Sequence, residues 1–515
     1  MKKNFFSYLV KQDNVNENTE AFNLPKENNS IAQQIDKNIE NNIKFLKDML
    51  GKSYDVIFRD FNINAGIPIK AFICFIEGLT DKKVSADNVV KALMVDINLL
   101  NINIPEGSEE ILNILEKDIL SVIECREANS FSEIIGGILS GEVCLLVDGC
   151  SKGILIDSRE NIARAVEKPD TEVTVRGSRE GFTETLRVNT ALIRRIIKSP
   201  NLIFETLNLG SETNTKICIA YIQGIADMKL VDEVKRRLNK INTDSILESG
   251  YIEQFIDNNP FSVFSTIGNS ERPDKIAAKL LEGRAAIICD GTPFVLSVPY
   301  LFIESFQVNE DYYSRPYLVT LIRVARALAF IITLMLPAIY ISLETFHQEM
   351  IPTVLILTAA AAREGTPFPT FVEVTITEIL FLLLRESGIR MPRPIGQTVS
   401  FIGALIIGES AVQAGILSAP MVIIGALTAI GSFIIPSLYD SILFFRYLLI
   451  ILSAMFGFHG IVLGLLFMLI HMCSLRSFGT PFLEPIAPTV SQGLKDSFIR
   501  FPLWNIRRNR KDNKK

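Results

Sequence analysis

Phe75-Ile76-Glu77-Gly78-Leu79-Thr80-Asp81 returns about 145 residues later as Tyr221-Ile222-Gln223-Gly224-Ile225-Ala226-Asp227. An apolar run rich in aromatic and β-branched residues that stops at glycine reads as a strand entering a turn. Two further blocks repeat with it. Asp55-Val56-Ile57-Phe58 returns at the same offset as Asn201-Leu202-Ile203-Phe204, and Gly141 with Asp148-Gly149 returns as Gly283 with Asp290-Gly291. Each copy reads as a helix, a strand, a strand ending in Gly, helices, and a strand that turns at Asp-Gly. The turning strands are residues 143–147 and 154–156 in the first copy, and 285–289 and 294–298 in the second. The pattern predicts two α/β subdomains of one fold, residues 36–157 and 158–310, behind a polar, flexible leader at 1–35. Asp148 and Asp290 read as turn residues rather than catalytic carboxylates, because Asp-Gly is a strong hairpin signal.

The whole-chain averages, a net charge of −5 and a mean hydropathy of +0.28, conceal a division. Residues 1–320 are rich in Lys, Glu, Asp and Asn, yet no lysine occurs between Leu280 and Leu494. A globular domain scatters lysine over its wetted surface, so its absence implies little surface in water. The expected fold class is therefore an α/β tandem soluble domain followed by a polytopic α-helical membrane domain. That domain covers residues 311–480 in about six helical segments, and a basic tail follows at 481–515. Met1-Lys2-Lys3 is followed by a short apolar run without a small-residue cleavage site, which argues against a secretory signal and for a cytoplasmic soluble part. Seven cysteines without a CxxC pair read as reduced thiols.

Residues 327–343 hold no charge and follow Arg315, Arg323 and Arg326, a basic flank that marks a cytoplasmic helix end. Pro337 within them is a candidate hinge. The next apolar stretch, 351–384, is interrupted by Arg363-Glu364-Gly365-Thr366-Pro367-Phe368-Pro369. Pro367 and Pro369 cannot complete a helical ladder, which predicts a non-helical hinge where Arg363 and Glu364 can pair. Glu373 and Glu378 follow in apolar surroundings. Glu378 and Arg385 are seven apart and share a helical face, so they point to protein interior or an aqueous path. Residues 394–439 carry a single charge, Glu409, with Gln413 one turn on. Residues 447–475 carry none and break at Gly457-Phe458-His459-Gly460, where Gly460 and Gly464 permit close helix approach. Glu373, Glu378, Arg385, Glu409 and Gln413 are thus the candidate pore or gating residues.

Arg500, Arg507, Arg508, Arg510, Lys511, Lys514 and Lys515 place the tail in the cytoplasm. With both ends inside, about six crossings follow, or about four with a re-entrant second segment. His347, His459 and His471 are dispersed, and no metal set, cofactor motif or catalytic arrangement is read. The segment Arg176-Gly177-Ser178-Arg179-Glu180-Gly181-Phe182 lacks a phosphate-loop signature. Arg176, Arg179 and Glu180 read instead as a loop that bridges the subdomains.

Several long motifs resemble the A subunit of GerA-type spore germination receptors. They are Val175-Arg176-Gly177-Ser178-Arg179-Glu180-Gly181-Phe182-Thr183-Glu184, Asn189-Thr190-Ala191-Leu192-Ile193-Arg194-Arg195, the Arg363 to Pro369 segment, Arg385-Glu386-Ser387-Gly388-Ile389-Arg390-Met391-Pro392-Arg393-Pro394-Ile395-Gly396-Gln397, and Arg476-Ser477-Phe478-Gly479. The resemblance implies a nutrient-sensor subunit in the inner membrane of a dormant bacterial spore. It implies a transporter-like B subunit and a lipoprotein C subunit as partners, contact with membrane lipid, and assembly of A subunits into a homo-oligomeric, nutrient-gated ion channel. One departure stands out: the family pattern has Gln then Glu where this chain has Glu409 and Gln413. No enzymatic activity and no nucleic-acid partner are expected. A secondary transporter-like permease with a cytoplasmic regulatory domain is the alternative, since transporters also place Pro/Gly breaks and carboxylates at mid-depth. Its weakness is that the legible repeat lies in the soluble half.

Overall fold

A computed structural model of the chain describes residues 33–65, 67–81, 93–94, 124–159, 169, 172, 174, 176–390, 403 and 406–502. The chain divides into two compact units, Met1–Asn161 and Ile162–Lys515.

The first unit contains α1 (Ile39–Leu50), β1 (Val56–Ala65), β2 (Ile67–Ile76), β3 (Cys125–Ala128), α2 (Phe131–Leu139), β4 (Val143–Val147) and β5 (Gly153–Ile156). Its strands form an antiparallel sheet in the order β1-β2-β4-β5-β3. Period-two alternation brings Ala71, Ile73, Val143, Leu145 and Val147 into one apolar cluster. Gln34 bridges to Ser130 and Ile35 is buried, so ordered packing begins inside the segment expected to be leader.

The second unit opens with α3 (Leu186–Ile196), β6 (Leu202–Leu209), β7 (Thr215–Ile222), α4 (Met228–Leu238), α5 (Ser249–Ile256), β8 (Gly268–Ser270), α6 (Pro273–Leu281), β9 (Ala285–Cys289) and β10 (Val295–Val298). Its sheet runs β6-β7-β9-β10-β8, the same order strand for strand. The likeness extends to individual atoms. Gly78 and Gly224 follow the second strand of their copies with φ of 96° and 84°. Asp148 accepts the N–H of Ile39 at the start of α1 (3.2 Å), and Asp290 accepts that of Leu186 at the start of α3 (2.9 Å). Each Asp-Gly turn therefore also caps the first helix of its own copy. Two buried asparagines close equivalent loops: Asn42 donates to the Asp36 carbonyl and Asn189 to that of Thr183, each at 2.6 Å. Strands β3 and β8 have no counterpart in the sequence reading, because three or four residues are too short to show alternation.

Gly141 and Gly283 have φ near +95° in both copies, and a Cβ on Gly283 would lie 2.8 Å from the Ile225 carbonyl oxygen. Gly283→Ala adds that clash to the left-handed backbone cost, so about 2–3 kcal/mol of stability should be lost. Gly224→Ala meets nothing within 4 Å and should lose only about 1 kcal/mol. Thermal unfolding of the purified chain checks the ranking, and an equal or reversed order would refute it.

Helices follow: α7 (Pro316–Thr345), α8 (Thr353–Arg363), α9 (Thr370–Arg390), α10 (Ala419–Ile434), α11 (Tyr439–Phe456) and α12 (Phe458–Ser474). Among the described residues, Pro316–Thr345 and Pro436–Phe456 are long and apolar enough to cross a membrane. Helices α8 and α10 reach only about 16 and 24 Å at 1.5 Å per residue, and part of one expected span, residues 391–402, lies outside the described residues. Helix α7 continues through Pro337. Residues 364–369 form a non-helical break, and Arg363 pairs with Glu344 of α7 (2.8 Å), not with Glu364. Adjacent side chains on a helix point apart, which is why the expected neighbour pair does not form. At Gly457 the chain reverses, and Gly460 lies so close to the Leu452 carbonyl of α11 that it has no room for a Cβ, while Gly464 packs against the Leu449 and Leu452 side chains.

The second sheet and the helices are tied together within this unit. Ser477 donates to the Thr266 carbonyl (2.6 Å) and accepts from the Tyr300 N–H (3.0 Å). Phe264 packs among Phe302, Phe445 and Phe482. Buried Glu304 receives both Lys279 and Arg284. Burial alone would raise its carboxyl, but Arg284 and Lys279 outweigh this and hold it below the usual range.

Candidate functional site

Helix α9 buries Thr370, Glu373, Val374, Thr377 and Glu378, a stripe at three- and four-residue spacing in which polar groups replace the usual apolar ones. The stripe can pack closely on α10 because Gly425 stands opposite Thr377 and Phe381, where a Cβ would lie 2.7 Å from the Thr377 methyl. Glu378 is 2 % exposed and pairs with Arg446 of α11 at 2.8 Å. The Thr428 hydroxyl stands beside that carboxylate and donates to the Gly425 carbonyl (2.8 Å). Two turns along α9, Arg385 stacks on the ring of Tyr439 at the start of α11. It makes no ion pair among the described residues. These groups line a cavity of about 540 Å³, whose walls include Phe381, Val422 and Phe433. Among the described residues the cavity thus combines apolar surface, one buried ion pair and one cation without an ion pair.

Of the residues singled out in the sequence, Glu378 and Arg385 meet in this cavity. Glu373 does not: it is fully buried and accepts the Ser418 N–H, so a carboxylate of α9 caps the start of α10. Glu409 and Gln413 are exposed on a separate turn and are hydrogen-bonded to one another at 3.2 Å. Pro367 and Pro369 lie in the break after α8, where Gly415 approaches the Gly365 carbonyl. Arg176 and Arg179 are exposed, and Glu180 pairs with Arg195 of α3. Their loop is held on the second unit by Arg272, which donates to the Ser178 carbonyl (3.0 Å) and to Thr174 Oγ1 (2.8 Å). Arg446 and Tyr439 were missed. Asp440 and Arg446 are the charges between two long uncharged stretches, and Arg446 directly before the second, residues 447–475, was the available signal.

Over residues 44–512 the chain matches the family described as Bacillus/Clostridium GerA spore germination protein. It belongs to the GerA family. Among GerA relatives it is 45% identical to spore germination protein KA of Bacillus subtilis, over 91% of this chain and 86% of that one. It is 42% identical to the uncharacterized membrane protein YfkQ of the same organism, over 96% of this chain and 95% of the relative. Among solved structures, the N-terminal domain of the A subunit of the Bacillus megaterium spore germinant receptor GerK3 aligns at 35% identity and a TM-score of 0.42, covering 53% of this chain and 98% of that one.

Proposed function

We propose that this GerA-family chain is the A subunit of a nutrient germinant receptor in the inner membrane of bacterial spores. Copies of it assemble into a nutrient-gated ion channel together with a transporter-like B subunit and a lipoprotein C subunit. The observation that carries this reading is the family match over residues 44–512, with a relative named for spore germination. Membrane insertion is supported by the two spanning-length helices, the absence of lysine between Leu280 and Leu494, and a relative named as a membrane protein. In this reading the tandem α/β domain and the basic tail face the spore core, the even crossing number follows from both ends being inside, and the break at residues 364–369 is the hinge.

Glu409 is the single charge between Pro394 and Tyr439, and it is exposed in the isolated chain. In an oligomer it would form an acidic ring, which favours cations. Glu409→Gln keeps size and hydrogen bonding but removes the charge. The variant should lose several-fold in cation-over-anion preference in liposomes and slow nutrient-triggered ion release, with normal subunit levels in spores. Unchanged selectivity with normal assembly would remove Glu409 from the ion path. Substrate-coupled exchange in place of passive current would favour a carrier.

A further inference from the structure

We propose that the cavity between α9, α10 and α11 binds an anionic amphiphile, a single carboxylate or phosphate head joined to an alkyl chain. Its volume of about 540 Å³ is within the size range of small-molecule sites. The charge is what selects the head. Among the described residues, Arg385 and Arg446 bring two cations against the one carboxylate of Glu378, leaving one positive charge for a ligand to neutralise. Stacking on Tyr439 covers a face of the Arg385 guanidinium, and its in-plane N–H groups, without an ion pair among the described residues, can grip an oxyanion. A second donor, Arg446 Nε, is buried and has no hydrogen bond among the described residues. The walls select the tail. Phe381, Val422, Ile430 and Phe433 present apolar surface that an inorganic anion would leave uncovered, whereas an alkyl chain would bury it. The ligand could be an anionic membrane phospholipid or a free fatty acid, which share this chemistry. The inference goes beyond the receptor role and does not depend on channel activity.

The test is direct binding to the purified full chain in detergent. An 11-(dansylamino)undecanoate probe should bind saturably, dodecanoate should displace it, and dodecyltrimethylammonium should not. Arg385→Gln, at a half-exposed position, should weaken binding by about tenfold or more through the lost charge-assisted contact. Ala426→Phe, which fills the cavity without altering its charge, should weaken it at least as much. Native mass spectrometry separates the sources. Phosphatidylglycerol retained by the wild type and lost from Ala426→Phe assigns the phospholipid, and displacement by dodecanoate with no retained lipid assigns the free acid. Equal binding by wild type and both variants, or equal displacement by the cationic amphiphile, overturns the site.

Discussion

Replacing Arg446 with alanine should lower the unfolding free energy of the helical region by about 3–5 kcal/mol, the usual cost of stranding one member of a buried pair. The Glu378 carboxylate left behind is 2 % exposed, and its neighbour Thr428 already donates to the Gly425 carbonyl. The cavity beside it is walled largely by apolar side chains, among them Phe381, Val422 and Phe433, so water there is a poor substitute for the lost guanidinium. Glu378→Leu alone should cost a similar amount, because it strands the Arg446 cation instead. The double variant Glu378→Leu, Arg446→Leu removes both charges and restores apolar packing, so it should recover most of the loss. A double-mutant cycle by thermal unfolding in detergent measures this coupling. Simple addition of the two single losses would mean that the pair is not the unit of stability here.

The soluble repeat was legible because its signals are local. Strands 143–147 and 285–289 are uninterrupted apolar runs closed by Asp-Gly, and they fold over those same residues. What stayed hidden depends on contacts between distant segments. Nothing near Asp148 or Asp290 announces that each also caps a helix more than a hundred residues earlier. In the helical region, periodicity placed Glu378 and Arg385 on one face, but their partners Arg446 and Tyr439 come from another helix. Spacing along a chain fixes a face and leaves its partner open. Arg323 shows the same limit. Its position before an uncharged stretch reads as a flank at a membrane edge, whereas its side chain is 0 % exposed.

That difference makes Arg323→Lys the sharper test of the start of α7. A flanking charge would tolerate lysine, which snorkels to the membrane surface as readily. The buried guanidinium instead spreads several donors among fixed acceptors. Nε donates to Asp311 at 2.9 Å, while Nη1 reaches the Asp496 carboxylate at 2.9 Å and the carbonyls of Asp496 and Ser497 at 2.8 Å each. Tyr312 donates to the same Asp496 (2.7 Å), and Arg500 donates to the Ser314 carbonyl (2.5 Å). Together these bonds clasp the segment around residues 496–500 to the start of α7. Lysine carries a compact ammonium that cannot match the planar fork. Arg323→Lys should therefore lose about 2–3 kcal/mol, and Arg323→Leu about 3–4 kcal/mol, since leucine also takes the cation from Asp496 and leaves it the Tyr312 hydroxyl. Asp311 is partly spared because Arg326 also holds it at 2.8 Å. Hydrogen exchange should report the opening locally, as faster exchange at residues 493–501 while the α3–β10 subdomain keeps its protection. If Arg323→Lys left both stability and exchange at wild-type values, Arg323 would be an interchangeable basic flank after all.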